Sequence, residues 1–213
     1  MIQVGVPLVA VAGRMVHEVV ILKGAMMGEQ PCASLGDSRR QDYYRKYALG
    51  LSELGLSSDE LDLRHYFQRP GALADVLMNY GLLWVTGGNT FTLRRAMDAS
   101  GLDRYLRELP ADTDLVYGGF SAGACVLCPS LRGIHLADEP APVPEGYSPD
   151  IIWDGLGPID FHVVPHYRSD HPESEAMEDV VKYYTEHNMK FITLSDGEAL
   201  IVQGSSITRI GDA

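Results

Sequence analysis

The sequence predicts an α/β protein with a mainly parallel sheet. Short apolar segments alternate along the chain with helix-compatible segments, which is the order of repeated strand–helix–strand units. Two apolar segments, at 82–86 and 115–117, are continuous, as expected for strands that helices cover on both faces. Gly-rich turns follow both segments. In sheets of this kind, functional sites form outside the carboxyl ends of the strands, so we expect functional residues in these turns.

The elements of the N-terminal half are predicted from periodicity and end signals. Residues 37–54 are predicted as a helix, because Asp37 and Ser38 can cap its start and aromatic and apolar residues recur at helical spacing. Gly55 follows the last of them and ends the helix. The other predictions here are strands at 4–12 and 61–66, a strand or helix at 16–22 and a short helix at 71–80, while residues 24–35 match no template.

The elements of the C-terminal half alternate more clearly. Residues 172–187 are predicted as a helix, because an apolar stripe recurs along them at Met177, Val180, Val181 and Tyr184. The other predicted elements are strands at 82–86, 115–117, 161–164, 191–194, 199–202 and 207–210, and helices at 91–97 and 101–109.

Length and net charge limit the number of domains and the kinds of partner that are expected. The 213 residues suit one domain with a full core, so a single domain over residues 1–213 is expected. A net charge of −12 argues against a nucleic-acid partner, since no basic face could dominate. No apolar run reaches the roughly 18 residues of a membrane span, and no positive residue precedes the short run at 4–12 as in a signal peptide. A cytoplasmic protein without membrane partners is expected.

The three cysteines do not form a disulfide framework. Their odd, low number indicates a reducing compartment. Cys125 and Cys128 form a C-x-x-C pair, but no second Cys or His pair stands at zinc spacing. We therefore expect both to be buried packing residues.

The most informative segment is Gly119-Phe120-Ser121-Ala122-Gly123, which follows the apolar run at 115–117. It fits G-x-S-x-G, the strand–turn–helix elbow that exposes a serine hydroxyl. The glycines suit a turn in which a Cβ would clash with the neighbouring strand and helix. The helix that begins here directs its N–H groups towards charge developing near Ser121.

Three turns are predicted to meet at one edge of the sheet. Gly87-Gly88-Asn89-Thr90 offers backbone N–H groups, the turn at Ser121 offers a hydroxyl, and Pro165-His166 offers an imidazole. A serine needs such a base to become nucleophilic near neutral pH. Together the turns indicate a serine hydrolase site.

The same three motifs resemble the peptidase E family of serine peptidases, which includes aspartyl dipeptidase and has cyanophycinase as a relative. The matching residues are Thr86-Gly87-Gly88-Asn89-Thr90-Phe91 with Leu93, Gly119 to Ala124, and Val164-Pro165-His166-Tyr167, in family order. The resemblance implies a three-layer α/β/α flavodoxin-like sandwich of the class I glutamine amidotransferase type. It implies a peptidase that acts on short peptides without a metal or organic cofactor.

Residue roles follow from the resemblance motif by motif. Ser121 is the expected nucleophile, His166 the base and then the acid, and the N–H groups of Gly88 and Ala122 the oxyanion hole. Asn89 and Thr90 are expected to shape the substrate pocket. His162 lies on the same strand face as His166 but deeper in the sheet, and is expected to be structural.

The acid that orients His166 is open at this point. The resemblance implies an acid in the loop between nucleophile and histidine, where Asp138 and Glu139 are adjacent. Adjacent side chains of an extended loop point in opposite directions, so only one can bond His166. Glu139 is slightly favoured for its longer side chain, and Asp160 is a weaker third candidate.

Substrate preference is predicted to depart from the family. The resemblance implies a basic residue after the histidine that binds a substrate aspartate, but residues 170–178 are acidic here. Arg168 is the nearby cation that could bind a carboxylate bidentately, and His171 is a candidate pocket residue. A preference for Asp-X peptides is therefore doubtful, and the acidic surroundings suit a free α-amino group or a basic side chain.

Two other functions fit parts of the pattern. An α/β-hydrolase esterase shares G-x-S-x-G, although only 45 residues separate Ser121 from His166. A non-catalytic binding module on the same fold is the other alternative. A homodimer also fits, because the aromatic face of the 37–54 helix with Tyr43, Tyr44 and Tyr47 suits an interface as well as a core. Residues 1–35 are assigned no role.

Overall fold

The computed structural model describes residues 8–11, 18–22, 37–109 and 114–211. Cys32, residues 24–35 and the outer parts of the predicted strands at 4–12 and 16–22 lie outside them. Nine strands are present in the described residues: β1 (Leu8–Val11), β2 (Glu18–Leu22), β3 (Ser57–Leu61), β4 (Leu82–Val85), β5 (Val116–Phe120), β6 (His162–Val164), β7 (Phe191–Thr193), β8 (Ala199–Gln203) and β9 (Ser206–Ile210). The helices are α1 (Asp37–Glu53), α2 (Pro70–Leu77), α3 (Thr90–Ser100), α4 (Leu102–Glu108), α5 (Ala122–Cys125) and α6 (Ser174–Glu186).

The main sheet has the order β3-β2-β4-β5-β1-β8-β9 among the described strands. Strands β3, β2, β4 and β5 are parallel neighbours, and β1 is parallel to β8. The antiparallel pairs are β1 with β5 and β8 with β9. The predicted α/β class with a mainly parallel sheet is thus confirmed.

The predicted strand at 61–66 is wrong in its position. The strand ends at Leu61, and a 3₁₀ turn follows at Leu63–Tyr66. The Asp62 carboxylate accepts the Arg64 N–H at 3.0 Å, a local side-chain bond that ends the strand and begins the turn. Leu61 and Leu63 are both buried, which gave the strand-like alternation in the sequence, but Leu61 ends the strand and Leu63 begins the turn.

The predicted strand before His166 does not join the main sheet. Strand β6 pairs with β7 in a separate two-stranded parallel sheet. It contacts α5 and the turn after it instead, because Cys125 Sγ at the end of α5 lies 3.9 Å from the Val163 carbonyl oxygen and the Val163 N–H donates to Cys128 Sγ at 3.2 Å. Both cysteines are free and buried, as predicted.

The core lies on both faces of β4 and β5. Leu83 and Val85 of β4 pack with Leu93 and Met97 of α3 in the largest cluster of buried side chains. On the other face, Tyr47 and Leu51 of α1 pack on Phe120 at the end of β5, with the Tyr47 and Phe120 ring centroids 5.1 Å apart.

Two of the α1 tyrosines that suggested an interface are engaged within this chain. Tyr47 is buried, and the Tyr44 hydroxyl donates to the Ser58 carbonyl at 2.7 Å. A homodimer remains a prediction that does not rest on these two side chains. None of the helices in the described ranges has the length and apolar character needed to cross a membrane.

Candidate active site

Ser121 occupies a sharp turn between β5 and α5. Its backbone has φ 49° and ψ −121°, a conformation that L-residues rarely adopt. The turn is crowded on both sides. A Cβ on Gly119 would lie 2.7 Å from the Gly123 carbonyl oxygen, and a Cβ on Gly123 would lie 2.3 Å from the Val85 carbonyl oxygen. The two glycines therefore permit the close contact of strand and helix that raises Ser121 out of the sheet.

The turn after β4 lies against Ser121. A Cβ on Gly87 would lie 3.0 Å from Ser121 Cβ and 3.3 Å from its Oγ. Gly88 has φ 135°, so its backbone needs glycine. Ala122 is the first residue of α5, where an N–H has no acceptor within the helix. Both predicted oxyanion donors thus border the serine turn.

Asn89 and Thr90 connect the β4 turn to the loop that carries Asp138 and Glu139. Asn89 Oδ1 accepts the Thr92 N–H at 2.8 Å and so caps α3, while Asn89 Nδ2 donates to the Glu139 carbonyl at 2.9 Å. The Thr90 N–H donates to Asp138 Oδ2 at 2.8 Å. These bonds set the position of the loop beside the site.

His166 follows β6 with its side chain buried, 3% exposed. Its φ is 56°, and the next residue is held in place because the Tyr167 N–H donates to the Leu194 carbonyl at 3.0 Å. His166 Nδ1 lies 2.8 Å from Asp196 Oδ1. Nε2 is buried and has no hydrogen-bond partner among the described residues. A neutral ring that donates Nδ1–H to the carboxylate presents an unprotonated Nε2, the form required of a base.

The structure pairs His166 with Asp196, not with Glu139 or Asp138. The Asp138 carboxylate bonds the start of α3 through Thr90, and Glu139 Oε1 accepts the Ala141 N–H at 3.2 Å. These local bonds hold both side chains to their own loop and to α3. Asp160, the weaker candidate, pairs with Lys190 at 2.7 Å on the surface.

Asp196 was missed by sequence reasoning, although one signal was present. It lies two residues past Leu194, where the predicted strand at 191–194 ends, and that strand turned out to be the neighbour of the His166 strand. Carboxyl ends of neighbouring parallel strands meet at one edge. The pairing of β6 with β7 was not apparent from the sequence, so Asp196 was not among the predicted partners of His166.

Asp196 is held by its own network. Its N–H donates to Ser169 Oγ at 2.7 Å, and the Ser195 N–H donates to Glu198 Oε2 at 2.7 Å. Glu198 is buried and is paired at 3.2 Å with Arg209 of β9. The β8–β9 hairpin therefore supports the turn that carries Asp196.

The charges around the site shift several pKa values. Burial lowers the pKa of His166, and His171 adds to that effect, while Asp196 opposes it. Burial raises the pKa of Asp138, against the hydrogen bond from Thr90. Burial, followed by the charge of Asp138, raises the pKa of Glu173 to about 7. His166 is thus favoured in its neutral form, near carboxyl groups that hold protons more tightly than usual.

His171, predicted as a pocket residue, stacks on His166. The ring centroids are 3.6 Å apart and the planes differ by 7°. In the described part of the chain, His166, His171 and Glu173 each place a ligand atom within 4.8 Å of the others. However, the lone pair of an imidazole nitrogen lies in the plane of its ring, and a metal ion must lie along it at about 2 Å. Two rings stacked in parallel therefore cannot both direct a lone pair at the same ion. As arranged, the group does not fit a metal.

Arg168, the predicted cation for a substrate aspartate, lies at the surface. Its Nε is 2.8 Å from Glu178 Oε1, and 69% of its side chain is exposed. The guanidinium also lies over the Tyr167 ring at 4.8 Å from the centroid. In this arrangement its charge is directed to α6 and not to Ser121.

His162, predicted to be structural, is buried below the site. Its Nε2 lies 3.3 Å from Ser130 Oγ, and its ring packs on Tyr184 at 4.7 Å between centroids. These contacts belong to the packing of β6 against α6.

Comparison with known proteins decides the family. The model of peptidase family S51 matches residues 31–210. The chain belongs to peptidase family S51. An uncharacterised peptidase from Listeria innocua is 31% identical over 157 residues, covering 74% of this chain and 71% of that protein. A probable alpha-aspartyl dipeptidase from Drosophila melanogaster is 31% identical over 138 residues, covering 61% of this chain and 53% of that protein.

The fold agrees with that of a solved structure. A crystal structure of a protein described as a peptidase E from Listeria monocytogenes matches with a TM-score of 0.69 and 24% identity, covering 92% of this chain and 87% of the other. The resemblance to the peptidase E family and the expected three-layer α/β/α fold are both confirmed. The S51 chain is a serine-type peptidase and hence a hydrolase.

Proposed function

We propose that this S51 peptidase hydrolyses short peptides through a Ser121–His166–Asp196 triad and an acyl-enzyme intermediate. The main support for the proposal is the geometry of His166. Its Nδ1 lies 2.8 Å from Asp196 Oδ1, and its buried Nε2 has no hydrogen-bond partner among the described residues. This is the arrangement in which an acid fixes the tautomer and an imidazole accepts the proton of a serine.

Acylation begins when Ser121 Oγ attacks the scissile carbonyl carbon and its proton passes to His166 Nε2. Asp196 stabilises the imidazolium that forms. The N–H groups of Gly88 and Ala122 bind the oxyanion, and loss of one such donor typically costs about 3 kcal/mol of transition-state stabilisation. His166 then protonates the leaving amine as the C–N bond breaks. Water, activated by the same histidine, attacks the ester carbonyl and releases the acid product with Ser121 regenerated.

The substrate class follows from the charges beside the triad. Glu173 has a carboxylate oxygen within 4.8 Å of ring nitrogens of His166 and His171, and Asp138 lies close enough to raise the pKa of Glu173. In their ionised forms these two carboxylates suit a cationic group of the substrate, whose charge would in turn favour ionisation. Arg168 is paired with Glu178 and does not supply a ready partner for a substrate carboxylate. We therefore propose peptides with a free α-amino group or a basic first residue, with no strict preference for Asp-X.

The test is hydrolysis of a panel of Asp-X, Glu-X, neutral-X and Lys-X dipeptides and tripeptides, with wild type beside Ser121→Ala. Cleavage that disappears in the variant supports the proposal. The Arg168→Ala variant, assayed on Asp-X against neutral-X peptides, tests the substrate part, and it should leave the ratio of the two rates unchanged. A loss of Asp-X cleavage alone would restore Arg168 as the specificity residue.

The alternatives predict different outcomes of the same panel. An esterase would cleave p-nitrophenyl esters and no peptide. A binding module would cleave neither, and its Ser121 would not react with a fluorophosphonate. Either result would refute the proposed function.

A further inference from the structure

The ring of His171 covers one face of the His166 ring. The centroids are 3.6 Å apart, the interplanar angle is 7°, and the two residues lie on one loop between β6 and α6. The mechanism above uses His166 and Asp196 and assigns nothing to this second histidine.

His171 is itself held by the start of α6. Its Nδ1 accepts the Glu173 N–H at 3.2 Å, and its carbonyl accepts the Ser174 N–H at 3.0 Å. Both partners are backbone groups next to or within the first turn of the helix. The orientation of the ring is therefore set by the fold before any substrate arrives.

One hydrogen bond does not define the plane of an imidazole. The bond to Asp196 fixes one edge of the His166 ring, but the ring can still tilt about that bond and move Nε2 away from a hydroxyl. A flat partner against the ring face removes this freedom. The bond fixes the edge of the base, and the stack fixes its plane.

We propose that His171 is a positioning residue, whose stacked ring fixes the plane of the His166 ring and thereby the position of Nε2, the atom that accepts the Ser121 proton in the proposed mechanism. The inference rests on the proposed function only in that His166 serves as the base. It assigns His171 to the catalytic geometry and not to substrate recognition.

The stack also has an electrostatic consequence. The charged or titratable groups that face this pair are Asp196 after β7, Glu173 at the start of α6, and Asp138, which acts on Glu173. A proton on His171 opposes a proton on His166, so the pKa of His166 is lower than it would be beside a neutral ring. Replacing His171 with a neutral ring should raise that pKa.

The experiment measures the labelling rate of Ser121 by a small fluorophosphonate as a function of pH. In this reaction the Ser121 Oγ–P bond forms and the P–F bond breaks, fluoride leaves, and His166 accepts the hydroxyl proton. No peptide is needed, so a wrong substrate class does not affect the result. The variants are His171→Phe, which keeps a ring without its charge, and His171→Ala, which removes the ring.

His171→Ala should slow labelling at the pH plateau by about 10- to 100-fold, because a displaced base loses its alignment with the nucleophile. His171→Phe should keep a plateau rate near wild type, with the acid limb of the profile moved to higher pH. The matched control is His187→Ala, which removes an exposed histidine stacked on Tyr183 at 4.0 Å and should change neither. Circular dichroism and unfolding midpoints verify that each variant is folded.

A second readout needs no reaction. In ¹⁵N-histidine-labelled protein, NMR titration should give a higher pKa for His166 in His171→Phe than in wild type. Unchanged plateau rates in both variants, or an unchanged pKa of His166, would overturn the inference while leaving the peptidase proposal intact. Conversely, labelling that depends on His171 in a protein that cleaves no peptide would refute the proposed function alone.

Discussion

Replacing Asp196 with asparagine tests the pairing that gives the site its base. The substitution keeps the size of the side chain but removes the charge 2.8 Å from His166 Nδ1. Two opposite unit charges about 4 Å apart interact by about 4 kcal/mol at the effective dielectric of a protein surface. This is about a 10³-fold change in rate, and an asparagine that instead donates to Nδ1 would impose the wrong tautomer, for a total of about 10⁴. We expect kcat of Asp196→Asn to fall by that amount.

The assay is steady-state hydrolysis of the peptide that wild type cleaves best, with Glu139→Gln and Asp138→Asn as matched controls. Glu139→Gln should retain near wild-type kcat, because that side chain accepts only the Ala141 N–H among the described residues. Asp138→Asn should have a modest effect, since an amide oxygen can still accept from Thr90. A 10³-fold loss in either control, with Asp196→Asn active, would refute the assignment of the acid.

Three further predictions follow from the contacts and charges around the site. Gly87→Ala should slow fluorophosphonate labelling with little loss of stability, because the new methyl would lie 3.0 Å from Ser121 Cβ. Gly123→Ala should lower the free energy of unfolding by about 1–3 kcal/mol, measured in urea, because the new Cβ would lie 2.3 Å from a backbone oxygen of β4. In the control Gly71→Ala the new Cβ has nothing within 4 Å, so the free energy of unfolding should be unchanged or slightly higher. Glu173→Gln should be more stable than wild type at pH 8, with the difference fading towards pH 4.5. The reason is that a folded-state pKa of about 7, raised from 4.5, favours folding while Glu173 is protonated and loses that contribution as pH rises through 7; equal unfolding midpoints at pH 8 would contradict this.

The elements with strong local signals were predicted well. Helix α1 begins at Asp37 and ends one residue before the predicted 54, and the strands before the turns at Gly87 and Ser121 lie where the continuous apolar runs indicated. Periodicity and turn residues act through the backbone within a few positions, so the sequence displays them directly. The strand predicted at 61–66 failed because a side-chain bond from Asp62 outweighed a weak alternation.

Some residues of the candidate site could likewise be predicted from local motifs, and others could not. The G-x-S-x-G segment, the glycine turn after β4 and the histidine after β6 are local motifs, and each could be named from its own residues. Asp196 could not, because its position beside His166 depends on β7 pairing with β6 over a separation of about thirty residues. The stack of His171 on His166 depends similarly on where α6 begins and how its first turn holds the loop.

The sequence by itself determined the family and the α/β class, and it singled out Ser121 and His166 as candidates, since each of these depends on backbone geometry that a few neighbouring residues impose. Tertiary structure alone decided which carboxylate meets His166, which ring covers it, and that Arg168 is directed to Glu178. Side chains far apart in sequence meet only through strand pairing and helix packing, and these are set by burial of the whole core and not by any local pattern.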